Sequence, residues 1–338
     1  MSFRLLSMCR RRSAHCRQFY IFGADFSVMP WFGRRLGAAN DTLSRMKPCA
    51  FLTLDERGDF VIDDEHAVAP LAALGWEVST VSWRQTAVPW SHFEAVVIRS
   101  TWDYWNDVPA FLAALERIDR QTRLANPLDL VRWNLAKTYM RDLQGKGVGV
   151  VPTAWLDGMD PAAISAYAAQ LGSHDLVVKP VVGANGQDAF RISPGDDPRR
   201  LREIAARFSG RACMVQPFRA NVLAEGEYSL FFFSGDYSHA ILKVPAAGEF
   251  RSQEEHGAEV LSIVPETRLL ECGRRALAAV APTPLYARVD FVRDAAGDFE
   301  VMELELIEPS LYLRTDPEAP ARFARAVDRW FAGDYAPG

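Results

Sequence analysis

Residues 286–313 decide how the rest of the chain is interpreted, and they read YARVDFVRDAAGDFEVMELELIEPSLYL. Two runs rich in β-branched and apolar residues, 285–292 and 299–306, flank a turn segment at 294–298 that contains Asp and Gly. Apolar runs of this length on either side of a short turn are typical of a β-hairpin. We therefore predict two paired antiparallel strands in this part of the chain.

The predicted hairpin places charged side chains on one face. Because side chains of the same parity share a strand face, Arg288 lies with Asp290 on the first strand, and Glu303 lies with Glu305 on the second. Carboxylates among apolar residues are costly to bury unless a cation neutralises them, and Mg²⁺ prefers oxygen ligands. The alternative is a solvated face with a surface pair between Asp290 and Arg288. The metal interpretation gains support from other parts of a nucleotide site elsewhere in the chain.

Composition describes an ordinary folded protein. The 338 residues are 49% hydrophobic and 24% charged, and this length suggests two or three domains. No apolar run reaches the ~20 residues needed to cross a bilayer, so we expect no membrane partner. The five cysteines are odd in number and scattered, which favours a reducing, cytoplasmic setting.

Residues 1–45 differ in charge from the rest of the chain. They contain eight arginines and two acidic residues, although the whole chain has a net charge of −5. The remainder is therefore strongly acidic, which argues against nucleic acid as a partner. The basic arm has the composition of a targeting segment. We favour a tail outside the fold, because Met46 stands immediately before the first convincing strand.

Strands and helices alternate after the arm. The pattern predicts a small parallel α/β domain, in which ligands lie beyond the carboxyl ends of the strands. Arg99 and Trp102 follow the third predicted strand and so occupy such an end. They are candidates for binding a substrate carboxylate and for forming a wall of the pocket, respectively. The alternative is an ordinary loop anchored by a half-buried tryptophan.

Two lysines lie in unusual positions further along the chain. Lys137 falls within a predicted helix at 128–144, and Lys179 ends a predicted buried strand at 176–180, where lysine is rare. The loop after Lys179 carries Gly183 and Gly186, and backbone N–H groups in such a loop contact phosphate oxygens. Two glycines alone more often indicate a plain hairpin turn, so the phosphate interpretation depends on the adjacent Lys179.

The order of these features resembles the ATP-grasp superfamily. Within it, the chain is similar to the bacterial glutathione synthetase branch and, more closely, to the ATP-grasp proteins of cycloserine biosynthesis. The phrases that carry the closer similarity are RSTWDY, SHAILKVP, FRSQEEHG, YARVD and MELELIEPSLYL. The resemblance spans about residues 47–335.

The resemblance implies an α/β (α+β) ATP-grasp fold with an N-terminal Rossmann-like pre-ATP-grasp domain. It divides the chain into the basic arm at 1–45, that N-terminal domain at 46–126, a small ATP-grasp subdomain with the phosphate loop and lid at 127–215, and a C-terminal subdomain with the metal site at 216–335. The implied enzyme is a magnesium- and ATP-dependent carboxylate–amine ligase that forms a C–N bond.

The resemblance also implies a role for each candidate residue. Those implied to bind ATP are Lys137 and Lys179 at the phosphates, Gly183 and Gly186 in the closing loop, Gln216 and Phe218 at the adenine, and Glu227 at the ribose. Those implied to hold two Mg²⁺ ions, with Mn²⁺ as an alternative, are Asp290, Glu303 and Glu305. Those implied to stabilise charge on the transferring phosphoryl group and the tetrahedral intermediate are Arg288, Lys243 and Arg251. The candidate substrate residues are Arg99, Trp102, Glu308 and Ser310.

The implied reaction is phosphorylation of a small carboxylate substrate by ATP, followed by attack of an amine on the acyl phosphate. Both groups belong to one molecule if the reaction is a cyclisation, and a homodimer is suggested by family analogy alone. Two departures stand out, because Glu305 replaces an asparagine and Glu308 replaces a serine of the glutathione synthetases. We therefore do not carry glutathione synthesis over. The alternative functions are an ATP-binding module without ligase activity and a phosphotransferase.

Overall fold

The computed structural model describes residues 46–333, so the predicted arm at 1–45 lies outside the described residues. The first sheet contains β1 (Lys47–Thr53), β2 (Trp76–Ser82), β3 (Ala95–Ser100) and β4 (Arg123–Ala125). All its neighbouring strands are parallel, in the order β2-β1-β3-β4. Every residue of β3 is buried, as expected for a parallel strand covered on both faces.

Helices α1 (Val68–Ala73) and α2 (Val108–Asp119) connect these strands. The side chain of Asp107 caps α2 by accepting a hydrogen bond from the backbone N–H of Ala110 at 3.1 Å. The predicted α/β class is thus confirmed, and the short strand β4 is an element that the sequence pattern did not predict.

The next segment forms a smaller antiparallel sheet. Helices α3 (Leu128–Asn134) and α4 (Tyr139–Gly145) precede it. Its strands are β5 (Ala154–Leu156), β6 (Leu176–Pro180), β7 (Phe190–Ile192) and β8 (Cys213–Pro217), in the order β5-β8-β6-β7. Helices α5 (Ile164–Leu171) and α6 (Pro198–Arg207) complete this segment.

The prediction of one helix over 128–144 was wrong. The chain leaves the helix after Asn134 and forms a second helix from Tyr139, so Lys137 lies in the break between α3 and α4. The backbone N–H of Lys137 donates to the carbonyl of Val181 at 2.9 Å, instead of to a carbonyl of the preceding helical turn. This bond fixes Lys137 beside the loop that follows β6.

The largest sheet is antiparallel and has five strands. After the short helix α7 (Asn221–Ala224) come β9 (Glu227–Phe233), β10 (Asp236–Val244), β11 (Glu259–Ile263), helix α8 (Thr267–Ala278), β12 (Tyr286–Arg293) and β13 (Phe299–Glu305). Their order is β11-β10-β9-β12-β13. The predicted hairpin is confirmed as β12 and β13, whereas β11 was not predicted.

Strand β13 is at the edge of this sheet, and neighbouring segments satisfy its outer backbone groups. The side chain of Asn134 donates to the carbonyl of Leu304 and accepts from the N–H of Leu306, both at 2.8 Å. The hydroxyl of Tyr139 accepts from the N–H of Leu304 at 2.9 Å. Because a buried unpaired backbone group costs free energy, these bonds fix the strand that carries Glu303 and Glu305.

The last helix, α9 (Ala319–Ala332), packs across two sheets. Its Phe323 lies in a hydrophobic cluster with Phe51 of β1 and with Phe233 and Tyr286 of the large sheet. The rings of Phe323 and Phe233 have centroids 5.2 Å apart. The predicted domain boundaries remain predictions. None of the helices described in residues 46–333 is long and apolar enough to cross a membrane.

Candidate active site

The hairpin forms a charged wall, which we define as Arg288, Asp290, Glu303 and Glu305. In the antiparallel register, Arg288 is opposite Glu305 and Asp290 is opposite Glu303. All four side chains line one cavity, as the period-two pattern predicted. The strand pairing therefore accounts for the convergence of one guanidinium and three carboxylates.

Arg288 joins the carboxylates of the wall. Its Nε lies 3.1 Å from both carboxylate oxygens of Asp290, and its Nη2 donates to Glu305. Burial alone would raise the pKa of Asp290, but Arg288 and Lys243 hold it below its ordinary value. The pKa of Glu305 rises to about 7, because burial and the charges of Glu303 and Asp290 together exceed the effect of Arg288.

Lys243 comes from β10 and forms ion pairs with Glu227 and, at 3.7 Å, with Asp290. Burial alone would lower its pKa, but these carboxylates raise it above the ordinary value. Ser252 donates to Glu227, and Ser229 donates to Asp290 at 2.5 Å. Lys243 is therefore a fixed cation between the wall and the carboxylate predicted to bind ribose.

Two further lysines approach the wall from the small sheet side. The Nζ of Lys137 lies 2.9 Å from Glu303 and 2.7 Å from the carbonyl of Gly183. Lys179 is half-buried, and its ammonium group forms no hydrogen bond or ion pair with any residue in the described part of the chain. Burial, with a smaller contribution from Lys137, lowers its pKa. Lys179 is therefore the cation of this site that most lacks a partner.

The glycine loop is closed against the segment that carries Arg251. Gly186 has a φ of +64°, and a Cβ there would lie 2.9 Å from Oε1 of Gln253 and 3.2 Å from Cδ of Arg251. Both the left-handed conformation and the close approach require glycine. Asn185, also at positive φ, points its amide toward the carbonyl of Trp102 at 3.5 Å.

The residues predicted to bind adenine lie at the end of β8. Gln216 is buried, and its amide donates to the hydroxyl of Thr153 at 3.0 Å. The ring of Phe218 lies between the guanidinium of Arg191, 4.1 Å from its centroid, and the ring of Phe250. Phe218 thus forms an aromatic rim on the cavity.

Three of the four candidate substrate residues line the cavity, namely Trp102, Glu308 and Ser310. Arg99 does not line it. Its guanidinium is buried, with Nε 2.9 Å from Asp64 and Nη2 donating to the carbonyl of Pro309 at 2.9 Å. This position contradicts the expected direct contact with a substrate carboxylate. Arg99 lies within β3, which continues to Ser100 and is buried at every residue.

The remaining predicted site residues all line the same cavity, and the sequence analysis missed others that do so. The predicted ones are Lys137, Lys179, Gly183, Gly186, Gln216, Phe218, Glu227, Lys243, Arg251, Arg288, Asp290, Glu303 and Glu305. Among the lining residues that were not predicted are Val61, Ser252 and Tyr312. Ser252 follows a predicted site residue directly and was the easiest to find. Val61 and Tyr312 carry no local signal in the sequence.

The wall has the donor set for Mg²⁺ but is not preorganised as a metal cluster. Among residues 46–333, no three Asp, Glu, His or Cys side chains are grouped closely enough to hold an ion. Their negative charge is instead matched by Lys137, Lys243 and Arg288. Oxygen donors suit a hard cation. The pKa of Glu305 is raised first by burial and then by the charges of Glu303 and Asp290, and a bound cation would oppose both effects. The residues therefore fit a divalent cation chemically.

These features define an ATP-dependent ligase of the ATP-grasp type, and comparisons with known proteins agree. Residues 49–126 match the model for the N-terminal domain of D-cycloserine synthetase DcsG, and residues 150–276 match the ATP-grasp domain of prokaryotic glutathione synthetase. The cycloserine biosynthesis protein DcsG of Streptomyces lavendulae is 35% identical over 275 residues, covering 75% of this chain and 89% of that protein. The chain belongs to the ATP-grasp family of DcsG, and it is an ATP-dependent C–N ligase.

Solved structures agree with this assignment. The crystal structure of D-cycloserine synthetase DcsG has a TM-score of 0.75 at 31% identity, covering 84% of this chain and 99% of that one. The ATP-grasp ligase PsnB, complexed with minimal precursor, Mg and ADP, has a TM-score of 0.53 at 18% identity, with 82% of this chain and 98% of that chain covered. The second likeness shows the fold alone.

Proposed function

We propose that the protein uses Mg²⁺ and ATP to activate the carboxylate of a small substrate as an acyl phosphate, which an amine then attacks. The observation that carries this proposal is the set of buried cations in one cavity. Arg288 and Lys243 lie beside the carboxylates of the wall, and Lys137 and Lys179 flank the glycine loop. Negative charge develops on the transferring phosphoryl group and on the acyl oxygen, and fixed cations stabilise both.

The proposed reaction has two steps. A carboxylate oxygen of the substrate attacks the γ-phosphorus of ATP, and the bond to ADP breaks. The amine nitrogen then attacks the acyl carbon, phosphate leaves, and the nitrogen loses a proton. Asp290, Glu303 and Glu305 would hold two Mg²⁺ ions, with Mn²⁺ as a substitute, and these supply charge neutralisation at the phosphates. The protein side chains need only position the reactants and exclude water.

We further propose that carboxylate and amine belong to one substrate molecule. The family includes a protein named as a D-cycloserine synthetase, and that name denotes a cyclised product. A cytoplasmic setting belongs to the proposal, because Cys49, Cys213 and Cys272 are free thiols. A homodimer is proposed by analogy only.

The test is phosphate release from Mg-ATP by the purified protein, with small amino acids and carboxylates as substrates. Substrate-dependent release, together with a hydroxamate when hydroxylamine is added, is the expected result for an acyl phosphate. A stable phosphorylated product that resists hydroxylamine would indicate a phosphotransferase instead. The product mass then separates the two ligation modes, because cyclisation removes one water from a single substrate.

A further inference from the structure

Glu308 differs from the other buried or half-buried carboxylates of the cavity because its carboxylate has no partner among the described residues. The residue is 8% exposed and lines the cavity. Its carboxylate forms no hydrogen bond or ion pair with any residue in the part of the chain that the structure describes. Burying a carboxylate without a counter-ion costs free energy. A positively charged ligand would therefore be stabilised beside Glu308.

The nearby cations are already engaged elsewhere. The charges of Lys137 and Arg288 reach Glu308, but Lys137 pairs with Glu303 at 2.9 Å, and Arg288 pairs with Asp290 and Glu305. Burial, reinforced by Glu305, raises the pKa of Glu308 to about 8. The protein itself therefore supplies no neutralising group at this place.

Residues of β3 and of the loop after it hold the backbone around Glu308. The indole Nε1 of Trp102 donates to the carbonyl of Glu308 at 2.8 Å, and Nη2 of Arg99 donates to the carbonyl of Pro309 at 2.9 Å. Arg99 is itself fixed by Asp64 at 2.9 Å. Two buried donors thus fix consecutive carbonyls, and Glu308 is aimed into the cavity by residues that were first expected to touch substrate.

We propose that Glu308 binds the cationic α-amino group of a small zwitterionic amino-acid substrate, a group separate from the amine that attacks the acyl phosphate. We also propose that Arg99 and Trp102 position Glu308 for this contact. The inference rests on the proposed function, because it assigns the substrate class of the same site. Arg288 and Lys243 take the carboxylate end of such a molecule, and Glu308 takes the ammonium end. A carboxylic acid without an amino group leaves Glu308 unpaired and binds poorly.

The test compares matched substrates on wild type and Glu308→Gln. Phosphate release from Mg-ATP, with hydroxylamine added as the attacking amine, is measured with D- and L-alanine against propanoate, and with D- and L-serine against 3-hydroxypropanoate. The selectivity is the ratio of kcat/KM between the amino acid and its deaminated partner. Loss of a charged hydrogen bond corresponds to about tenfold to a hundredfold in this ratio, while the KM for ATP stays unchanged.

Three controls separate a binding role from a structural one. Glu308→Asp keeps the charge and should retain most of the selectivity. Glu259→Gln removes an exposed carboxylate on β11 and should behave as wild type. Trp102→Phe removes the bond to the carbonyl of Glu308 and should lower the selectivity by a smaller factor. A purely structural role would lower the rates with both members of each pair equally.

The outcomes also distinguish this inference from the proposed function. Amino-acid-dependent phosphate release with unchanged selectivity in Glu308→Gln overturns the Glu308 assignment and leaves the ligase intact. The same conclusion follows if only the deaminated acids are active. Absence of release from every probe by protein that binds ATP contradicts the proposed function, and this inference falls with it.

Discussion

The charged wall and the neighbouring Glu308 treat buried charge in opposite ways. At the wall, Asp290 and Glu303 each face a cation, and the pKa of each carboxyl is lowered. Glu308 has no ion pair, and its pKa is raised to about 8. All three side chains line the same cavity, where Asp290 and Glu308 are buried and Glu303 is half-buried.

The difference separates what the fold stabilises from what a ligand must stabilise. A buried carboxylate with an ion pair and hydrogen bonds meets its desolvation cost within the protein, whereas a buried carboxylate alone does not. The wall can therefore hold its shape before ATP arrives and exchange partners afterwards. Glu308 lowers the stability of the empty protein until a cationic group reaches it.

The largest effect is expected from breaking the wall. Glu303→Gln removes one charge that we assign to metal binding, and it also removes the partner of Lys137. Turnover should fall by roughly a hundredfold or more, because the metal carries much of the barrier reduction. The check is substrate-dependent phosphate release, with circular dichroism to show that the variant is folded.

A matched control lies on the same strand. Glu300 pairs with Arg219 and does not line the cavity, so Glu300→Gln should keep turnover near wild type. Full activity of the folded Glu303→Gln variant would remove the metal assignment. Equal losses in both variants would mean that the strand, and not the site, had been damaged.

The wall was predictable because its pattern is local. Period-two alternation and a Gly-containing turn are enough to predict a hairpin with Arg288 and Asp290 on one strand face and Glu303 and Glu305 on the other strand's face. The strand that carries Lys179 was found for the same reason, since an apolar run with one lysine is conspicuous. Motif order and resemblance supplied the roles, which the geometry alone does not test.

The surroundings of Glu308 and Lys137 were less predictable because their contacts are long-range. Arg99 was expected in a loop, but its hydrogen bond to Pro309 joins residues 210 positions apart. The helix break at Lys137 depends on a carbonyl of the loop after β6, which no local propensity encodes. Such contacts follow from how the sheets pack, and a single sequence does not reveal them.

The unpaired state of Glu308 should make the free energy of unfolding depend on pH. The pKa of Glu308 is about 8 in the folded protein, against an ordinary 4.5. Below 4.5 both the folded and the unfolded states carry the proton, whereas between these values only the folded state does. The free energy of unfolding therefore falls as pH rises, by up to about 1.4 kcal/mol per unit, and Glu308→Gln lacks this loss.

Chemical denaturation without ATP or metal provides the measurement. The stability of Glu308→Gln relative to wild type should increase by about 2 kcal/mol between pH 6 and pH 7.5. Glu305 titrates in both proteins, so only its coupling to Glu308 remains in the difference. A constant difference across this range would show that Glu308 is not an isolated buried carboxyl.

The smallest effect is expected at Lys179. It lies near the wall, but unlike the other cations there it forms no ion pair among the described residues. Burial lowers its pKa, so it too needs a charge from outside the protein. If that charge is phosphate, Lys179→Ala should weaken ATP binding by about tenfold, and calorimetric titration would measure this.

Lys146→Ala is the matched control, because Lys146 is an exposed lysine whose Nζ donates to the carbonyl of Ala279 outside the cavity. It should leave ATP affinity unchanged. Unchanged affinity in Lys179→Ala as well would mean that a buried cation without a partner does not indicate a ligand here. The same reasoning assigns a cationic substrate group to the unpaired Glu308, so that assignment would also be weakened.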